Sequence, residues 1–386
     1  MSGPTRVLFA CVGDAADVQE WSGTPYHMYQ ALVAAGAEVT LASPLQERFA
    51  LPFRAVQKVR NRVGKSRYSK DREPIILRGY AQQIARVAEH TRPDIVFSPS
   101  SMPLAQLNIG VPTVFWTDAT FAGMVDYYPD FTHLSPRHLK IGERMEAVAL
   151  QRAALAVYSS DWAAQSAARH YGVPAERLAV VPFGANMIDP GPSAHRPDEG
   201  PCRLLTVGGN WHRKGVDLAI ATLVELRRLG VEATLDIVGC SPNTTEHLPD
   251  GAVVHGVLDK DNPQDARALR EMYERASFFL LPSRAECTPI VLAEAAAYGL
   301  PVVASATGGM AAMMREGRSG HLVDLADFAV TAAKTLKPCW QNKVTYHQME
   351  TESRLFYQEQ ANWGSATRAL LDVIQERILP RVVTPH

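Results

Sequence analysis

Two doubly wound α/β domains, each a parallel sheet with helices on both faces, are what this 386-residue sequence predicts. Three observations carry that reading. Short apolar strand patterns alternate with longer helical patterns through the first part of the chain. Residues 188–201 then interrupt the alternation with four prolines and two glycines in fourteen positions, the composition of a linker. Beyond that stretch the alternation restarts. The expected divisions are an N-terminal domain over residues 1–187, a linker over 188–201 and a C-terminal domain over 202–361. A last helical stretch within 362–386 is expected to pack back on the first domain.

In the first domain, Arg6–Gly13 reads as a strand, followed by a helix over Pro25–Ala35 with Thr24 as cap and Pro25 at its first position. Gly36 ends that helix and Glu38–Ser43 is the second strand. Further strands are expected at Asp94–Ser98, Pro112–Thr117, Leu155–Ser159 and Leu178–Pro182, with helices at Ile75–Glu89 and Pro136–Ala154. The cationic run Arg54, Lys58, Arg60, Arg62, Lys65, Arg67, Lys70 reads first as a solvated loop, and second as a surface for an anionic acceptor or a membrane.

In the second domain, strand Arg203–Val207 leads to helix Val216–Leu229, then strands Ala233–Gly239 and Ala252–His255 and helix Gln264–Ala276. The apolar run Ser277–Ser283 is a buried strand, Arg284–Cys287 turns the chain, and Thr288 caps a helix that opens with Pro289 and runs from Ile290 to Tyr298. Gly299 ends it, and Leu300–Ser305 is the next strand. The last helical pattern is Asn362–Ile378.

Composition sets mild bounds. A net charge of −1 provides no field that would draw the chain to nucleic acid. The five cysteines show no CxxC spacing, which suits reduced thiols in a cytoplasm. Only Arg6 precedes a short apolar run, better read as a strand than as a signal segment. No stretch approaches the ~20 apolar residues of a membrane span. Arginine outnumbers lysine, in keeping with a GC-rich bacterial genome.

Chemistry concentrates in the second domain. Glu286 falls in the loop outside a strand's carboxyl end, where open α/β sheets bind ligands. Glu294 lies in a helix apolar nearly all round, and a carboxylate so placed is rarely left without a partner. Strand Leu204–Val207 runs into Gly208-Gly209-Asn210-Trp211-His212-Arg213-Lys214-Gly215 ahead of a helix. Glycines there let amides approach a ligand, the helix end adds positive potential, and Arg213 and Lys214 add two cations. A second pair, Thr307-Gly308-Gly309, offers further amides to the same phosphates or to sugar hydroxyls. Carboxylates accept from paired hydroxyls while Arg and Lys take phosphate, so a nucleoside diphosphate sugar suits the whole set.

These residues resemble the retaining glycosyltransferases of family 4, which have the GT-B fold of two Rossmann-like domains facing across a cleft. Glu286-Cys-Thr-Pro-Ile-Val-Leu-Ala-Glu294 is similar to the family's E-x7-E motif. Arg213-Lys214-Gly215 resembles its phosphate-binding lysine and glycine, and Ser22-Gly23-Thr24 its N-domain loop facing the donor. Val181–Asn186 is similar to the segment entering the hinge, and Trp363 also fits. Departures are Gly209 where the family has an arginine, Cys287-Thr288-Pro289 where it often reads Gly-Phe-Gly, and Asp118 where many members have a histidine.

The resemblance implies sugar transfer from a nucleoside diphosphate sugar to an acceptor hydroxyl with retention, requiring no metal and no cofactor. Catalytic positions would be Glu286, Lys214, Arg213 and Asp118. Donor-binding positions would be Glu294, Gly208, Gly209, Thr288, Pro289, Ile290, Thr307, Gly308, Gly309, Gly23 and Thr24. His27 and Asp118 are the acceptor-side candidates, His27 reading otherwise as a helix-surface residue. A front-face route, in which the departing phosphate takes the acceptor proton, is favoured. Double displacement stays open, with Asp118 and Glu286 as the carboxylates for it. The acceptor is a small molecule, glycan or glycolipid, and peripheral membrane contact is open through residues 54–70. A GT-B-fold sugar-nucleotide epimerase, a phosphorylase and a non-catalytic nucleotide-sugar-binding protein are the alternatives.

Overall fold

The structure is a computed structural model that describes residues 4–63, 66–191, 199–241 and 247–379. Lys65 of the cationic run, residues 192–198 of the proline-rich stretch and residues 380–386 of the terminal segment lie outside the described residues. The chain forms two compact units, Met1–Pro182 with Trp363–His386, and Phe183–Asn362.

The first unit is built on six parallel strands: β1 (Arg6–Ala10), β2 (Glu38–Ala42), β3 (Ile95–Ser98), β4 (Thr113–Thr117), β5 (Leu155–Tyr158) and β6 (Leu178–Val180), in the order β2-β1-β3-β4-β5-β6. β1, β3, β4 and β5 are buried almost throughout, as strands covered on both faces must be. The covering helices are α1 (Thr24–Ala34), α2 (Ala50–Val63), α3 (Pro74–Thr91), α4 (Phe121–Met124), α5 (Pro136–Arg152) and α6 (Asp161–Tyr171). Ser135 and Ser160 accept from the His138 and Ala163 amides and so cap α5 and α6, replacements by alanine costing about 1 kcal/mol each.

The second unit repeats the plan with β7 (Cys202–Val207), β8 (Ala233–Val238), β9 (Ala252–Gly256), β10 (Phe278–Leu281), β11 (Val302–Ser305) and β12 (Gly320–Val323). Their order is β12-β11-β10-β7-β8-β9, all parallel, with Phe278 and Phe279 of β10 in register with Leu204 and Leu205 of β7. Its helices are α7 (Val216–Arg228), α8 (Pro263–Arg275), α9 (Ile290–Ala297), α10 (Phe328–Gln341) and α11 (Lys343–Glu359). Strand order reverses between β7 and β10, so the connections leaving these two neighbours run to opposite faces and open a crevice at their carboxyl ends.

The terminal helix α12 (Trp363–Arg377) belongs with the first unit. Trp363, Ala366, Thr367, Leu370 and Ile374 make its buried stripe at helical spacing. Trp363 packs edge-on to Trp116 at 5.5 Å between centroids, and Arg377 donates to the Leu178 carbonyl at 2.6 Å.

Several sequence expectations are corrected. Residues 50–63 are helix α2, not a solvated loop; the absence of an inward apolar majority hid the helix. Thr24 is the first residue of α1 and Gly23, at φ 84°, is its cap. Pro289 is the N-cap of α9 rather than its first residue, and no side chain caps that end, so Thr288 does not serve. Residues 183–187, expected in the first domain, pack with the second: Ala185 is in its core and its amide donates to the Ala361 carbonyl. β12, α6, α10 and α11 were not anticipated.

Candidate active site

The second unit gathers its charged residues where β7 and β10 part. The turn after β7 ends at Gly215, which caps α7 at φ 68°. A Cβ on Gly215 would lie 1.9 Å from the Pro282 carbonyl oxygen, so the missing side chain lets the β7 and β10 loops touch. Hydrogen bonds clamp them: the Arg284 amide donates to the Arg213 carbonyl at 2.7 Å, and Arg284 pairs with Asp217 through both guanidinium nitrogens at 2.8 and 2.7 Å. The Arg284 guanidinium holds the Asp217 carboxyl below its ordinary range.

This clamp brings Glu286 to the cations. Its Oε1 lies 2.7 Å from Lys214 Nζ and 2.8 Å from Arg213 Nη1. Glu286 is 3% exposed and Lys214 7%, whereas Arg213 is half-buried. Buried opposite charges need such pairing, because leaving either alone costs several kcal/mol. The Lys214 stem runs over Gly208: a Cβ there would meet Lys214 Cγ at 2.6 Å and Cδ and Cε at 2.8 Å. Gly208 thus gives space to Lys214, and its amide is committed to the Val238 carbonyl. Gly209, exposed, has open space by comparison, its nearest neighbour being the Gly239 carbonyl at 3.9 Å.

The second glycine pair does other work than expected. The Gly309 amide donates to the Glu286 carbonyl at 3.2 Å and the Thr307 amide to Ser305, so both are engaged within the protein. Thr307 Oγ1 donates to the Ser283 carbonyl at 3.0 Å, and Gly308 makes the turn at φ 53°. Thr307-Gly308-Gly309 braces the backbone of Glu286. Thr288, Pro289 and Ile290 lead from Glu286 into α9, and Cys287 is buried.

Glu294, 3% exposed on α9, has the partners its burial requires. Lys260 Nζ lies 2.7 Å from its Oε1, and Tyr273 donates to its Oε2 at 3.2 Å. Tyr273 is stacked between Tyr298 at 4.9 Å and Phe279 at 5.9 Å, and burial beside Glu294 raises its pKa far above the phenol range. Sequence reasoning missed both partners. Tyr273 was visible only as an aromatic on a predicted helix, and Lys260, in a loop of mixed charge, had no signal.

The remaining candidates belong to the first unit. Asp118 sits half-buried in the bend leaving β4. Gly23 and Thr24 are buried at the head of α1, where Trp21, Ser22 and Gly23 take left-handed φ values of 44°, 56° and 84° in succession. His27 is not a free surface residue: it is half-buried and stacks on Trp363, with centroids 6.3 Å apart and planes within 4°. This unit also holds a cavity of about 660 Å³ lined by Asn61, Arg67, Tyr68, Arg72, Asp130 and His138 among others. In its wall, buried Arg72 donates to Glu146 Oε2 at 2.9 Å and lies over the Phe121 ring at 4.4 Å. Glu146 Oε1 and Tyr158 Oη are buried without a hydrogen-bond partner. Among the described residues no group of His, Cys, Asp and Glu has the arrangement of a metal site.

The architecture is that of the GT-B glycosyltransferases, two parallel six-stranded sheets each wrapped in helices. A sucrose-phosphate synthase from Thermosynechococcus elongatus superposes with a TM-score of 0.68 at 17% identity, over 97% of this chain and 98% of that one. Anabaena HepE, in a structure with UDP-glucose, does so at 0.60 and 15%, over 96% and 99%. At the level of sequence, the description Glycosyltransferase Family 4 matches residues 24–187 and Glycosyl transferases group 1 matches residues 201–341. The D-inositol 3-phosphate glycosyltransferase of Acidothermus cellulolyticus is 28% identical over 233 residues, 55% of this chain and 50% of its own length. The chain spans about half the length of the first curated relatives it matches.

Proposed function

We propose that the protein is a glycosyltransferase that moves a sugar from a nucleoside diphosphate sugar to an acceptor hydroxyl, with retention and without a metal. The observation that carries this reading is the buried Lys214–Glu286–Arg213 cluster at the crevice between β7 and β10. One carboxylate oxygen shared by two cations leaves the cluster with net positive charge, suited to a diphosphate. As the bond to the sugar breaks, charge develops on that diphosphate. Lys214, Arg213 and the amino end of α7 stabilise it, an electrostatic contribution that is usually the largest in such sites. Glu286 positions the cations and accepts from sugar hydroxyls, and Glu294 accepts from the ribose as Lys260 yields its place. In the front-face route the leaving phosphate takes the acceptor proton, so no protein nucleophile is needed. Asp118 orients the acceptor, and the polar cavity lined by Arg72 and His138 suits a hydroxyl-rich one. The free cysteines suit a cytoplasmic setting.

The test is a thermal-shift series with UDP-, GDP- and dTDP-sugars on wild type, Glu294→Ala and Lys214→Ala, followed by product analysis. A cognate donor at a hundredfold excess over its Kd adds about 3 kcal/mol of stability. One nucleotide class stabilising wild type and neither variant supports the reading, with UDP-glucose the first to try. Absence of a shift and of transfer with every donor refutes it.

A further inference from the structure

Helix α2 turns its apolar side outward. Ala50, Phe53 and Gln57 form its inward stripe, with Ala50 3% exposed and packed in the core of the first unit. On the opposite side Leu51, Ala55 and Val59 follow one line at i, i+4, i+8, and Pro52 and Val56 the line beside it. Leu51 is 78% exposed, Val59 62% and Val56 46%, and Phe49, just ahead of the helix, 65%. An ordinary surface helix has the reverse arrangement, polar residues outward.

Charge on the helix is of one sign. Arg54, Lys58 and Arg62 run along one flank of the apolar strip, Arg60 lies on the other, and the helix contains no acid. Arg54 pairs with Glu47 at 2.6 Å; Lys58, Arg60 and Arg62 have no ion pair among the described residues. A second copy of the same face would set these cations against their equivalents, which disfavours self-association. An outward apolar strip flanked by cations is the pattern of a helix that lies in the plane of a bilayer interface. Among the described residues no helix is long and apolar enough to cross a membrane, so the contact is peripheral.

We propose that α2 docks the protein on an anionic lipid surface, with Phe49, Leu51, Val56 and Val59 at the acyl boundary and Lys58, Arg60 and Arg62 on the headgroup phosphates. The proposal is independent of the donor chemistry, and its assay needs no nucleotide.

Flotation of the full chain with phosphatidylcholine vesicles, with and without about 30 mol% phosphatidylglycerol, tests it. Leu51→Gln/Val59→Gln removes apolar contact and Lys58→Gln/Arg62→Gln removes charge; all four positions are exposed, so the thermal midpoint is the control for folding. Wild type is expected to float with the anionic vesicles and not with the neutral ones. Each cation near such a surface contributes about fivefold to partition, so the charge variant should bind roughly 25-fold more weakly. Binding should also fall in about 0.5 M salt. The apolar variant should bind more weakly too, while any thermal shift by a nucleotide sugar persists. Failure to float with anionic vesicles overturns the proposal, as does equal binding by wild type and both variants. A wild-type dimer in sedimentation velocity that Leu51→Gln/Val59→Gln abolishes would assign the face to a second copy instead.

Discussion

Gly208→Ala is the substitution that tests the anion site most directly, because it adds one methyl group and changes no charge. The backbone at Gly208 is outside the left-handed region, so alanine is conformationally acceptable there. Its Cβ would stand 2.6 Å from Lys214 Cγ and 2.8 Å from Cδ and Cε. To restore an ordinary carbon–carbon contact of ~3.5 Å, the Lys214 stem must shift by roughly 0.9 Å. The stem is buried, so the shift passes to Nζ, which now lies 2.7 Å from Glu286 Oε1. A charged hydrogen bond contributes about 1.5–3 kcal/mol, and a displacement of this size forfeits much of it. Donor affinity, read by calorimetric titration with the nucleoside diphosphate, should fall about tenfold to a hundredfold, with a stability loss of about 1–3 kcal/mol from overpacking. The decisive comparison is with Lys214→Met. If Gly208 acts through Lys214, the double variant should bind no worse than Lys214→Met alone. Wild-type affinity in Gly208→Ala, or additive losses in the double variant, would refute the reasoning.

Other outcomes follow from the same geometry. Gly215→Ala, which places a Cβ 1.9 Å from the Pro282 oxygen at φ 68°, should lower stability by at least about 3 kcal/mol in urea titration and part the β7 and β10 loops. Lys260→Met should cost about 1–2 kcal/mol of stability, since Glu294 keeps only Tyr273, yet leave donor-induced stabilisation at or above the wild-type level. Loss of donor binding in that variant would show that Lys260 itself holds the donor. His138 is 2% exposed, and burial, with a smaller contribution from Arg72, depresses its pKa. Its folded value lies below the unfolded value of about 6.5, so its contribution is complete above that pH and is lost as pH falls through the folded value. Chemical denaturation between about pH 7.5 and 5.5 should show stability declining with acid, and His138→Gln should flatten the slope. Carboxylates with lowered pKa, such as Asp94 beside Arg6, lose their contribution only at more acidic pH.

Much of the fold was legible because its cause is local. The β10 strand is an uninterrupted apolar run between Ser277 and Pro282, and the restart of alternation after the proline-rich stretch announced a second sheet. The return of the last helix was expected because the pattern Asn362–Ile378 lies beyond the second sheet's complement; its buried stripe of Trp363, Ala366, Leu370 and Ile374 came from the structure. Helix α2 was hidden for the converse reason: its apolar residues face outward and its cations mimic a loop. The proximity of Glu286 to the Arg213-Lys214 turn was foreseen as a shared sheet edge, not as one oxygen held by two cations.

Residue order by itself determined where most of the strands and helices form, α2, α6, α10, α11 and β12 excepted, and that the glycine-rich and glutamate-bearing loops sit at strand carboxyl ends. Those properties depend on periodicity, caps and turn residues, all readable within a few positions. Tertiary structure alone decided that Gly208 makes room for Lys214, that Gly309 braces Glu286, and that Lys260 and Tyr273 share Glu294. It alone decided that His27 stacks on Trp363. Apart from Gly208 and Lys214, six positions apart within one turn, these contacts join residues more than twenty positions apart and are set by how the elements of each unit pack. No local pattern encodes such a partner, because the same lysine or tyrosine in another register would meet solvent.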